Sequence, residues 1–298
     1  MRSIATVSIA AVLAAAAGNA RAQCDPSTCA KDFPINYPNK NAQQGSTHEI
    51  TFNRNGGTSF WITAPTYDSI AEISAGNKQK FFPMPAHSGP HGIAFDAGGQ
   101  LYVSFERAGE VARVNAKTGA VEKRTPVAAD PHGLGIAQDG KTIWFTGKTK
   151  NTVGKIQPDG KVANFSLATP DALPIYVAAG PDGNMWFTEL TGNKIGRVTP
   201  DGQIAEFPIP TPGSRPIAIV QDPSAPAMWF SEEAGNKVAR VDMSGAITEF
   251  QVPKSQENVI LAGLAFDEKE TSGFSNMSTR IIPVPPGPTM SSRSANRS

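Results

Sequence analysis

The sequence predicts an all-β fold, a β-propeller of four-stranded blades, and three observations carry that prediction. Trp61, Tyr102, Trp144, Trp186 and Trp229 recur at steps of 41, 42, 42 and 43 residues, a self-similarity that marks an array of small units unable to bury a core singly. Within each step the apolar residues form short runs or alternate, which is the period of strands and not of helices. Gly, Pro, Asp and Asn punctuate those runs at regular intervals, as tight antiparallel connections require.

The unit around Trp186 shows the element order. Ile175 to Ala179 is a short apolar run, hence a buried first strand; Pro181-Asp182-Gly183-Asn184 is a turn; Met185 to Glu189 is an aromatic second strand. Lys194-Ile195-Gly196-Arg197-Val198 alternates as a half-buried third strand, and Gln203 to Ile209 is a fourth strand ended by prolines. Glu110 to Val114, Thr152 to Ile156 and Lys237 to Val241 repeat the third strand. Five complete units and part of a sixth predict six or seven blades with the last incomplete, and residues 30–46 are available to add strands that close the ring. The aromatic column is read as packing between blades, with a stacking platform for a ligand as the alternative.

The ends divide the chain further. Arg2, the apolar run Ile4 to Ala17 and Ala20-Arg21-Ala22 make residues 1–22 a secretory leader, so the mature protein is expected outside the cell. In residues 23–45, Cys24 and Cys29 are the only cysteines; in an oxidising compartment they pair as one local disulfide, a metal pair being the alternative. The repeats occupy 46–269. From Glu270 the pattern stops, and 270–298 reads as an irregular tail. A frame change explains it: losing one G from AAG-GGA-AAC-CTC-TGG, which encodes Lys-Gly-Asn-Leu-Trp, produces Lys269-Glu270-Thr271-Ser272-Gly273. A naturally disordered tail is the other reading. Net charge is +1 with no basic block, which argues against nucleic acid and anionic membranes as partners. The chain is expected to be a monomer that takes a small-molecule or peptide ligand.

Superposing the units places His48, His91 and His132 at one repeat position, the entry to the first strand, where later units carry Ile175, Ile217 and Ala262. First strands line a propeller's channel, so the three imidazoles should face one mouth, with His87 near the same rim. Such a group suits metal binding or proton transfer near neutral pH; alternatively, each ring only bonds the neighbouring blade. Asp130, two residues before His132, is the expected carboxylate partner, orienting the ring or holding a cation. Glu106, Glu189 and Glu232 close second strands and are read as loop caps.

The phrases Gly180-Pro181-Asp182-Gly183-Asn184-Met185-Trp186-Phe187-Thr188-Glu189, Asn193-Lys194-Ile195-Gly196-Arg197-Val198 and Glu206-Phe207-Pro208-Ile209-Pro210 resemble the streptogramin B (virginiamycin B) lyase family of seven-bladed propellers. The resemblance spans roughly Thr47 to Lys269. It implies opening of a cyclic depsipeptide at its ester by elimination, antibiotic resistance as the role, and a His base, a second His at the substrate and a carboxylate-held Mg²⁺ as the machinery. The family carries these in an E-P-H-G phrase of the last blade and a P-H-A phrase of the blade before. Here those places read Ile260-Leu261-Ala262-Gly263 and Pro216-Ile217-Ala218, so the inherited site is missing. Because a propeller is circular, Asp130-Pro131-His132-Gly133 and Pro90-His91-Gly92 resemble the same phrases in other blades. That shifted site would use His132 as base, Asp130 as Mg²⁺ ligand, and His91 and His48 as substrate contacts.

Overall fold

Alternation within each repeat folds the chain into antiparallel meanders. In the unit read most closely, Pro174–Ala179, Met185–Glu189, Lys194–Val198 and Ile204–Pro208 form one four-stranded sheet in sequence order. Its register pairs Ala178 with Trp186 and Trp186 with Arg197. Gly183 turns the first hairpin at φ 78°, a conformation other residues adopt only under strain. The computed structural model describes residues 5–12, 31–38, 47–52, 59–251, 259–266 and 277–283. Cys24, Cys29 and the junction at Lys269 to Gly273 lie outside the described residues.

Six such sheets are described. Their first strands are Ile50–Phe52, Pro90–Phe95, Pro131–Ile136, Pro174–Ala179, Pro216–Gln221 and Val259–Phe266. Each lies beside the next, so this strand faces the axis of the array, as a propeller requires. The sixth sheet is composite: Val259–Phe266, Met277–Pro283, Ala5–Val12 and Lys31–Ile35, in that order. Within the tail read as irregular, Met277–Pro283 is a strand, its Thr279, Ile281 and Ile282 being β-branched residues that favour extended backbone. Ala5–Val12, inside the segment read as a leader, is the strand that joins it to Lys31–Ile35. At the end of that last strand, Ile35 packs with Ile62, Ala71 and Ile73 of the first blade. The Asn36 N–H donates to Gln79 Oε1 at 2.8 Å and Tyr37 stacks on Tyr67 at 4.3 Å, so the segment 31–37 links the two ends of the array.

The aromatic column packs between blades. Trp61 shares a core with Ile93, Leu101 and Val103 of the second blade, Trp144 with Val177, Met185 and Phe187 of the fourth, and Trp186 with Ile219, Met228 and Phe230 of the fifth. Trp144 and Trp186 are buried, and the Trp186 indole N–H donates to Asp182 of its own turn at 3.1 Å. Buried on both faces, Trp61, Trp144 and Trp186 offer no platform for a ligand.

A second column of contacts joins the blades through hydroxyls. Thr63, Ser104, Thr146, Thr188 and Ser231 hold the same place in successive second strands. Each accepts a backbone N–H from its own first strand, those of Glu49, Gly92, Gly133, Tyr176 and Ala218. Four of them then donate to a carbonyl of the next blade: Thr63 to His91, Ser104 to His132, Thr146 to Ile175 and Thr188 to Ile217, at 2.6–2.8 Å. The ladder register slips at these first strands, between Pro90 and Ile93 and between Pro131 and Leu134. The slip is a bulge that frees backbone groups from their own sheet, and the hydroxyls satisfy them.

Candidate functional site

Those bonded carbonyls belong to the residues at the histidine position, so the same contact that joins the blades fixes where each imidazole starts. Glycine follows two of the histidines for a steric reason. A Cβ at Gly92 would stand 2.5 Å from the His132 carbonyl oxygen, and one at Gly133 would stand 2.4 Å from that of Ile175. The next blade passes too closely for any side chain there.

The three rings converge. Centroids of His91 and His132 are 3.5 Å apart, His48 and His91 3.7 Å, and His48 and His132 5.8 Å. His91 and His132 are buried, each 3% exposed, whereas His48 is exposed and stands over them at the mouth. His132 Nδ1 lies 3.2 Å from the Ile175 carbonyl oxygen, so bonding to the neighbouring blade and convergence on the axis occur together in one ring.

Glu49, which the repeat alignment did not single out, completes the cluster. It follows His48 where the next two blades have Gly92 and Gly133, and it is 3% exposed. Its Oε1 is 3.5 Å from His91 Nδ1; both atoms are buried and neither has a hydrogen-bond partner. One donor atom from each of Glu49, His91 and His132 falls within 4.8 Å of the others. On the far side His91 Nε2 is 3.9 Å from Glu106 Oε2, and Lys148 Nζ reaches Glu106 Oε1 at 3.4 Å.

Burial sets the protonation states. It holds His91 well below the usual imidazole range, helped by His132, His48 and Lys148, and it holds His132 low, helped by Lys148 and His48. Both rings are neutral at physiological pH. Burial pushes Glu49 well above the carboxylate range against an opposing bond from the Ile93 N–H. Glu106 is raised as well, burial outweighing Lys148. Desolvation is the common cause.

Asp130 bonds to its own blade's loop. Its two carboxylate oxygens accept the N–H groups of Thr149 and Lys150 at 2.7 and 3.2 Å, so the side chain caps the loop after the third blade's second strand while Glu49 faces the rings. His87 is in a left-handed turn at φ 60° with its N–H on Asp68. No ring contact joins it to the trio among the described residues. Glu189 and Glu232 are fully buried. Glu189 lies under the 190–193 loop with neither oxygen hydrogen-bonded; burial and the nearby Glu206 raise it to about 8, and burial with Glu249 raises Glu232 to about 7. At the histidine position the fourth and fifth blades place Ile175, buried, and Ile217, half-buried, so the rim is imidazole on one side and aliphatic on the other.

Residues 25–277 match the virginiamycin B lyase family. Among solved structures, a catalytically inactive histidine-to-alanine variant of virginiamycin B lyase from Staphylococcus aureus with quinupristin is similar, at 26% identity and TM-score 0.71 over 85% of each chain. A streptogramin B lyase is similar at 27% identity and TM-score 0.71, over 86% of this chain and 83% of that one. No curated protein matches this chain. The repeat, the sheets and the extent of the match make this chain a member of the virginiamycin B lyase family.

Proposed function

We propose that this chain is a secreted binding propeller of lyase ancestry, which takes a small-molecule or peptide ligand at the mouth where His48, His91 and His132 meet and does not use the family's usual elimination site. The convergence of three imidazoles from consecutive blades carries this reading. Exposed His48 offers a polar contact, the neutral rings beneath it offer acceptors, and Ile175 and Ile217 supply an apolar wall on the other side. A few placed polar groups against an apolar surface is the usual make-up of a small-molecule site. The absence of histidine at Ile217 and Ala262 argues against the inherited chemistry. Quinupristin, present with the Staphylococcus aureus relative, is the first ligand to try.

A second reading is an active C–O lyase that opens a depsipeptide or lactone. It is favoured by the metal-compatible spacing of Glu49, His91 and His132. Glu49 takes the carboxylate role assigned earlier to Asp130, and the buried unpartnered atoms Glu49 Oε1 and His91 Nδ1 fit a cation better than they fit any bond present. A divalent ion such as Mg²⁺ would polarise the ester carbonyl. In that reading Glu49 and His91 would hold the ion, leaving His132 Nε2 free to accept the proton and His48 to orient the substrate. Titrating the secreted protein with quinupristin, by calorimetry and by chromatography of the ligand, separates the two. Saturable binding with intact ligand, weakened about tenfold in His48→Ala, is expected; ring-opened product that His132→Ala abolishes would establish the lyase, and no saturable binding would end the first reading.

A further inference from the structure

The geometry points to a site for one transition-metal ion of the Zn²⁺ or Co²⁺ kind, held by Glu49, His91 and His132, at the base of the mouth to which the binding reading assigns the ligand. This rests on that reading only for location.

Two imidazoles and one carboxylate are the donor set that Zn²⁺ and its neighbours take, whereas Mg²⁺ prefers oxygen ligands and retains water. The spacing agrees. Bonds of about 2.0–2.1 Å in a tetrahedral arrangement set ligand atoms about 3.4 Å apart, and Glu49 Oε1 stands 3.5 Å from His91 Nδ1. Those two atoms are buried without hydrogen-bond partners, a costly condition for polar groups unless something else satisfies them. His132 is already prepared. With Nδ1 at 3.2 Å from the Ile175 carbonyl oxygen, its proton sits on Nδ1 and its lone pair on Nε2, the arrangement that orients ligating histidines in metal centres. Thr146 bonds the same carbonyl at 2.8 Å, so the orienting group is itself held. The Ile93 N–H anchors the Glu49 carboxylate. Three ligands from three blades leave a fourth position towards the exposed side, where the His48 ring lies 3.7 Å from that of His91.

The test uses the full secreted chain, stripped with EDTA, and titrated by calorimetry with Zn²⁺ and separately with Mg²⁺. One Zn²⁺ per chain, bound at least about a hundredfold more tightly than Mg²⁺, is expected. Co²⁺ should give the intense visible absorption of a four-coordinate site. Glu49→Gln, which keeps the side chain's shape, and His132→Ala should each weaken Zn²⁺ at least tenfold, the lower end of what even outer-sphere changes cost; His87→Ala should leave it unchanged. Zn²⁺ bound no more tightly than Mg²⁺, equal Zn²⁺ affinity in Glu49→Gln, or a weak six-coordinate Co²⁺ spectrum from the wild type would each overturn the proposal. The Co²⁺ spectrum needs no variant, so it decides even where a substitution unfolds the chain. Quinupristin binding in EDTA with no Zn²⁺ uptake refutes the metal and spares the ligand reading; Zn²⁺ uptake without quinupristin binding does the reverse.

Discussion

Replacing Thr146 with Val tests whether the hydroxyl column holds the blades together and the site in place. Thr146 is fully buried; its Oγ1 accepts the Gly133 N–H at 2.9 Å and donates to the Ile175 carbonyl at 2.8 Å. Valine has nearly the same shape, so little cavity forms and the loss is that of the hydrogen bonds. The Gly133 N–H is left buried without an acceptor, which costs about 1–3 kcal/mol. The Ile175 carbonyl keeps His132 Nδ1 as a donor and loses one bond of about 1 kcal/mol. The sum is about 2–4 kcal/mol, or a fall in Tm of about 3–7 °C for a protein of this size. Thermal unfolding followed by circular dichroism measures it, with Thr142→Val as the control, because that hydroxyl is bonded only to exposed Asp139. A Thr146→Val melting point within about 1 °C of wild type would refute the structural role of the column. Nitrogen-15 spectra should show the His132 proton still on Nδ1, since the carbonyl that holds it remains.

Glu189 makes stability depend on pH. Its folded pKa of about 8 lies above the ordinary 4.5, so the folded state binds the extra proton. This contribution is fully present below about pH 4.5 and is lost as pH rises through 8. Glu189→Gln should come within about 1 kcal/mol of wild type at pH 5 and exceed it at pH 9 by about 4–5 kcal/mol; denaturant titrations giving the same pH slope for both proteins would contradict the assignment. Separately, the leader reading predicts an intact mass that starts near Gln23, which would take Ala5–Val12 out of the sixth sheet. A product retaining Met1 would mean that Ala5–Val12 stays in the sixth sheet and that residues 1–22 are not a leader.

Much of the site was legible in repeat alignment alone, because a propeller puts equal positions on equal geometry. That is why His48, His91 and His132 converge as their column predicts. The same alignment holds the hydroxyl column of Thr63, Ser104, Thr146, Thr188 and Ser231 in plain sight, unread because Ser and Thr in strands carry no special signal. Glu49 was hidden for the opposite reason, as it breaks its column, standing where Gly92 and Gly133 follow the other histidines. Asp130 turns to the Thr149 and Lys150 N–H groups, a direction that proximity in sequence does not give.

Period and turn chemistry by themselves determined the four-stranded unit, its strand order and the packing role of the tryptophans, all of which depend on contacts within about 42 residues. Only the tertiary structure decided which carboxylate meets the imidazoles, since Glu49 and His132 are brought together by blades stacked about one axis and not by chain proximity. It also decided the composition of the sixth sheet, where Ala5–Val12 and Lys31–Ile35 join Met277–Pro283 and Val259–Phe266. Strand edges left open at one end of a chain are satisfied by whatever backbone the closed arrangement brings beside them.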